Sequence, residues 1–143
     1  MCDFADQPFA LECIEKYGRN QLGCVATRDI KPGEIVLDEI CQVPHPNIPR
    51  TNDLERQIFE SVVIDTFNGL SEDDREMYLN LHNCFEFNGE VKDDGAIILE
   101  IFKSNSIFFG NGVGIQLSRF NHSCQSNAEV WVGESTCKGI PEI

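Results

Sequence analysis

The 143-residue chain has no apolar window of 18 residues, no Cys-x-x-Cys pair and no excess of positive charge. Without a long apolar run there is no candidate membrane helix. The acidic start Met1-Cys2-Asp3-Phe4-Ala5-Asp6 has neither the basic nor the apolar region of a secretion signal. An intracellular protein of nucleus or cytoplasm, with no membrane partner, is the expectation. Seven cysteines at positions 2, 13, 24, 41, 84, 124 and 137 stand at least 11 residues apart, which excludes the common zinc-ligand spacings and disfavours a disulfide framework. No metal site is expected. Eleven Lys and Arg against 24 Asp and Glu leave a net charge of −13, which repels phosphate backbones and removes the basic footprint of a nucleic-acid binder. Direct nucleic-acid binding is therefore not expected, whereas a Lys-rich segment would be drawn toward such a surface. Tyrosine is scarce as well, limited to Tyr17 and Tyr78.

What remains is ordinary globular material, 41% hydrophobic and 24% charged. A chain of this length buries roughly two-thirds of the surface that its unfolded form exposes, so one domain needs no staples. The apolar run Phe9 to Tyr17 predicts a strand bounded by Pro8 and Gly18, and Gly18-Arg19-Asn20-Gln21 a turn. Gly23 to Ala26 predicts a second strand, Asp29 to Gly33 a Pro-Gly turn, and Glu34 to Glu39 a third strand, together a β-meander over residues 9–39. Pro44, Pro46 and Pro49 predict a loop from Cys41 to Thr51.

Helical spacing then takes over. Thr51 or Asn52 caps Asp53 to Phe67, where Leu54, Ile58, Val62 and Phe59, Val63 recur at four-residue steps until Asn68-Gly69. Ser71 with Asp74 resembles a capping box for a second helix through about Leu81, and a third runs from Asp94 to Lys103 on Ile97, Ile98, Ile101 and Phe102. Phe109-Gly110-Asn111-Gly112-Val113-Gly114 is rich in glycine, but the third glycine of a dinucleotide fingerprint would fall on Ile115. It predicts instead a turn feeding a strand from Gly114 to Leu117.

The residues with most chemistry follow: Arg119-Phe120-Asn121-His122-Ser123-Cys124-Gln125-Ser126-Asn127-Ala128. Adjacent strand residues point to opposite faces, so His122, Ser123 and Cys124 do not build a hydrolase dyad, and Cys124 is expected to pack rather than attack. Asn121-His122-Ser123 also fits a glycosylation sequon, which is discounted without a secretion signal. The run closely resembles the Asn-His-Ser-Cys-x-Pro-Asn signature of the SET domain, the fold of most protein lysine methyltransferases. Gly23-Cys24-Val25-Ala26-Thr27-Arg28-Asp29-Ile30-Lys31-Pro32-Gly33-Glu34 resembles the opening of the same family, and Lys103-Ser104-Asn105-Ser106 resembles its segment beside the cofactor. Ser126 stands where the signature has proline, and Cys24 where Leu or Phe is usual.

The resemblance implies an α+β fold: the SET-domain β-fold of small sheets with a long helical insert, without the zinc finger that some relatives carry there. The organisation it implies is a meander at 9–39, a mainly helical insert at 40–113, the strand and Asn-His-Ser-Cys motif at 114–132, and a tail at 133–143. It implies S-adenosylmethionine as cofactor, held by Gly23, Cys24, Asn105, Asn121 and His122, and a Lys-containing protein as substrate. Asn121 and His122 would then lie within contact distance of the Gly23-Cys24 backbone and of Asn105, a distance above about 15 Å between Asn121 and Gly23 exceeding the span of one pocket. The family orients the lysine amine with a tyrosine C-terminal to Asn-His-Ser-Cys, and both tyrosines of this sequence precede it. The expectation is therefore a C-terminally truncated SET domain lacking its closing strand, weakly active or inactive as residues 1–143, with no catalytic residue assigned. A catalytically silent SET-like interaction module and an unrelated α+β interaction domain are the alternatives. Oligomeric state, substrate identity and methylation degree are not legible.

Overall fold

The computed structural model describes residues 7–13, 22–85, 90–106, 111–120, 125–132 and 137–140, the last strands, 129–132 and 137–140, by backbone alone. Along the chain run β1 (Phe9–Cys13), β2 (Leu22–Ala26), β3 (Leu37–Glu39), β4 (Val43–Pro44), α1 (Asp53–Asn68), α2 (Glu72–Leu79), α3 (Asp94–Asn105), β5 (Gly112–Val113), a 3-10 turn (Leu117–Arg119), β6 (Glu129–Val132) and β7 (Cys137–Ile140). They fall into two compact units, Met1–Ile40 with Gln116–Ile143, and Cys41–Ile115. Among the described residues no helix is long and apolar enough to cross a membrane.

The first unit holds two small sheets. β1 and β2 pair antiparallel with Phe9 opposite Ala26 and Cys13 opposite Leu22. Pro32 and Gly33 make the expected turn: Gly33 sits at φ +79°, which glycine adopts without a Cβ penalty, and the Glu34 N–H donates to the Lys31 carbonyl at 3.0 Å. The expected strand from residue 34 shortens to β3, and β3 does not continue a meander. It pairs with β7, which also pairs with β6, in a three-stranded antiparallel sheet ordered β3-β7-β6. The expected tail at 133–143 thus contributes the central strand of that sheet. The strand expected from Gly114 to Leu117 also differs. Residues 115–116 are a turn leading into the 3-10 turn that starts at Leu117, because side chains take the backbone amides that a ladder would need. The expected turn at 18–21 lies outside the described residues.

The second unit is helical with one short β pair. Asn52 caps α1, its side-chain oxygen accepting from the Glu55 N–H at 2.9 Å, and Ser71 caps α2 through the Asp74 N–H at 3.1 Å. Asp93 caps α3 through Ala96 N–H at 2.8 Å. Of the two four-residue series on α1, Phe59, Val63 and Phe67 enter the core, while Leu54 is 66% exposed and Ile58 and Val62 also face outward. The core joins them to Tyr78, Ile98, Ile101, Phe102, Val43 and Val113. Within the expected loop 41–51, Val43 and Pro44 pair with Val113 and Gly112 as β4 and β5. A two-residue strand at an edge tolerates the missing Pro44 N–H. Gly112 makes this possible: at φ +101°, any Cβ there would sit 2.3 Å from the Val43 carbonyl oxygen.

Candidate functional site

β2 carries two of the residues that the resemblance assigns to the cofactor. Gly23 is buried opposite Glu12 of β1, and Cys24 is half-buried opposite Leu11. Among the described residues β2 is laddered to β1 alone, so main-chain donors and acceptors along its other edge have no ladder partner. Burial pushes the Cys24 thiol up to about 12; the Arg119 charge opposes this by less, and Glu39 adds to it. Cys24 is therefore a neutral, packed thiol at physiological pH and not a nucleophile. Arg119 is itself buried, and that burial lowers its pKa, with Cys24 opposing. It stays a cation, since a guanidinium starts far above neutrality.

The approach to Asn121 is fixed by a carboxylate. Glu39, 6% exposed at the end of β3, accepts the Gln116 N–H on one oxygen and the Leu117 N–H on the other, each at 2.9 Å. Two amides held by one charged acceptor make strong bonds and set the 3-10 turn that follows. Phe120 then meets Phe9 of β1 edge-to-face, ring centroids 5.0 Å apart. The residue before Asn121 is thus anchored to the strand that pairs with β2. Asn121 and His122 themselves lie outside the described residues. On the same segment the Gln116 Oε1 is buried without a hydrogen-bond partner among the described residues.

Asn105 belongs to the second unit, as the last residue of α3. Its Nδ2 donates to the His82 carbonyl at 2.7 Å and to the Ile101 carbonyl at 2.8 Å, so both amide protons fix the helix end. Its carboxamide oxygen makes no hydrogen bond among the described residues. Tyr78 is fully buried, and its hydroxyl donates to the Ile98 carbonyl at 2.9 Å; burial raises its pKa further. That hydroxyl serves the core and is not placed to align a substrate amine. Sequence reasoning singled out neither Glu39 nor Arg119. The signal for Glu39 was its place in Leu37-Asp38-Glu39, where alternation puts a carboxylate on the buried side of a strand. Among the described residues no three His, Cys, Asp or Glu gather where they could hold a metal ion.

Small antiparallel sheets in one unit and a three-helix body in the other make a mixed α+β domain. The sequence model of the SET domain matches residues 21–140, most of the chain, and the chain belongs to that family. No curated protein and no solved structure matches it.

Proposed function

We propose that this SET domain binds S-adenosylmethionine and is of the protein-lysine methyltransferase type. The observation that carries the reading is the family match over residues 21–140, which spans both the Gly23 strand and the Asn-His-Ser-Cys run. Gly23, Cys24, Asn105, Asn121 and His122 are the residues assigned to the cofactor. Three features of the described residues fit such a ligand. The outer edge of β2 offers main-chain donors and acceptors, Gln116 has an unsatisfied buried acceptor, and Cys24 presents a neutral thiol that would not capture an electrophile. When bound, the cofactor supplies an electrophilic methyl group to a neutral amine.

The protein's share of that chemistry is positioning, exclusion of water and help in deprotonating the lysine, because free lysine is almost fully charged at neutral pH. Tyr78 is committed to the core, so among the described residues no tyrosine hydroxyl is free to align a substrate amine, which favours a second reading of this polypeptide as a catalytically silent SET module that engages a protein partner. Loss of one such aligning hydroxyl commonly costs ~10²–10³ in rate. Incubation of residues 1–143 with labelled S-adenosylmethionine and a pool of Lys-containing peptides tests both readings. Cofactor retention without transfer to lysine is expected. Transfer abolished by Asn121→Ala would contradict the inactivity, and no retention at all would contradict the cofactor assignment.

A further inference from the structure

The second unit contains a groove of about 430 Å³ between the loop at 45–50, α1 and the C-terminal half of α3. Its floor is aromatic. His45 lies 4.9 Å from Phe59 and 6.0 Å from Phe102 between ring centroids, and the two phenylalanine rings are themselves 6.0 Å apart. The Arg50 guanidinium stands over the Phe59 ring at 4.5 Å from its centroid. Helical spacing adds Arg56 one turn before Phe59, and Lys103 next to Phe102.

The charge in this groove runs against the rest of the molecule. Residues 41–115 hold five Lys and Arg against 13 Asp and Glu, yet three of the five cations line the groove and one of the 13 carboxylates, Glu60, does. Arg56 is already paired with Asp53 on its own helix. Arg50 and Lys103 make no hydrogen bond or ion pair among the described residues, which leaves two cations beside an apolar floor. Phe59 and Phe102 belong to the core and Arg50 stacks on Phe59, so the part of this grouping without a structural use is the two exposed cationic heads.

We infer that this groove binds an acidic peptide segment in which carboxylates flank an apolar or aromatic side chain. The guanidinium fork of Arg50 and the ammonium of Lys103 would take the carboxylates, and Phe59, Phe102 and Leu99 would cover the apolar side chain. A bare anion would leave the floor unused. A nucleic acid, charged at every nucleotide along its length, would meet more of the repulsion of the remaining acidic surface than a short peptide does. Gly23, Cys24, Asn105, Asn121 and His122 do not line the groove, and the inference uses no step of methyl transfer.

Fluorescence anisotropy of residues 1–143 with a fluorescein-labelled peptide, Asp-Glu-Leu-Phe-Glu-Asp, tests it, with Asn-Gln-Leu-Phe-Gln-Asn as the amide counterpart. At about 50 mM salt, where screening is weak, the acidic peptide is expected to bind about tenfold or more tighter than the amide peptide. Arg50→Glu with Lys103→Glu should weaken it by roughly tenfold or more, circular dichroism reporting the fold. Glu60→Gln removes the one opposing carboxylate and should tighten binding roughly two- to threefold, a gain that misfolding does not produce. Equal binding of the two peptides, displacement of the acidic peptide by inorganic phosphate at a few times the peptide concentration, or unchanged or weakened binding by Glu60→Gln would each overturn the inference.

Discussion

Glu39 has a single acidic side chain holding two backbone amides some 77 residues further along the chain, inside the protein. Glu39→Ala leaves both N–H groups buried and unpaired, at a cost of roughly 2–5 kcal/mol, where each orphaned donor costs about 1–3 kcal/mol. Urea denaturation should show a lower midpoint with an unchanged slope. Gly112→Ala should be destabilising by about 2 kcal/mol or more, since it combines a positive φ with a Cβ placed against the Val43 carbonyl. Cys24 makes the opposite point, since its burial suppresses reactivity. With a thiol pushed up to about 12, its thiolate fraction at pH 8 is ~10⁻⁴. A thiol reagent at that pH should label the exposed Cys13 and Cys84 well before Cys24; equal labelling would contradict the burial described. The neutral thiol was legible as a small apolar residue in the chain. The partners Arg119 and Glu39 were not, because nothing local in the chain links positions 24, 39 and 119.

Local rules carried the helices and failed where distant groups compete for the backbone. The caps at Asn52, Ser71 and Asp93 follow from side chains that accept the first free amides of a helix; those at Asn52 and Ser71 were legible in the sequence, and that at Asp93, which reads there as a solvated charge, was not. Asn52→Ala should lower stability by about 1 kcal/mol. On α1 the periodicity marks two series at four-residue steps, and only tertiary packing decides that Phe59, Val63 and Phe67 go inward. Val63→Ala should accordingly cost roughly 1.5–3 kcal/mol, and Val62→Ala one position away under about 0.5 kcal/mol. The strand expected at 114–117 was lost to Glu39 and Gln42, whose side chains take the Gln116, Leu117 and Ile115 amides. The three-strand meander broke for a related reason: β3 found its partner in β7, about 100 residues away in the chain. The Pro-Gly turn held. There the Arg28 ion pair, with the Lys31 N–H, lowers the Glu34 carboxyl from 4.5 to about 2. A lowered pKa stabilises the turn above the ordinary value, and the gain is lost as pH falls from about 4.5 through about 2. NMR titration of Glu34 should show that low midpoint, and Arg28→Ala should return it toward 4.5.

At the scale of the whole molecule, two short motifs in the right order sufficed to indicate the SET family, and the family match over residues 21–140 bears this out. Their strength lies in separation: residues near 23 and near 121 have no local reason to carry matching chemistry unless one fold requires both. What the motifs leave open is the chemistry between them, since Asn105 spends both amide protons on its helix end and Tyr78 spends its hydroxyl on the core. Isothermal titration of residues 1–143 with S-adenosylhomocysteine tests cofactor binding most directly. Saturable binding at one site per chain is expected, in the micromolar to submillimolar range, about −8 to −5 kcal/mol, weakened about tenfold by Asn121→Ala in a variant with an unchanged circular dichroism spectrum. A folded protein that gives no saturable heat up to about 1 mM ligand, or an Asn121→Ala variant that binds as tightly as the parent, would contradict it.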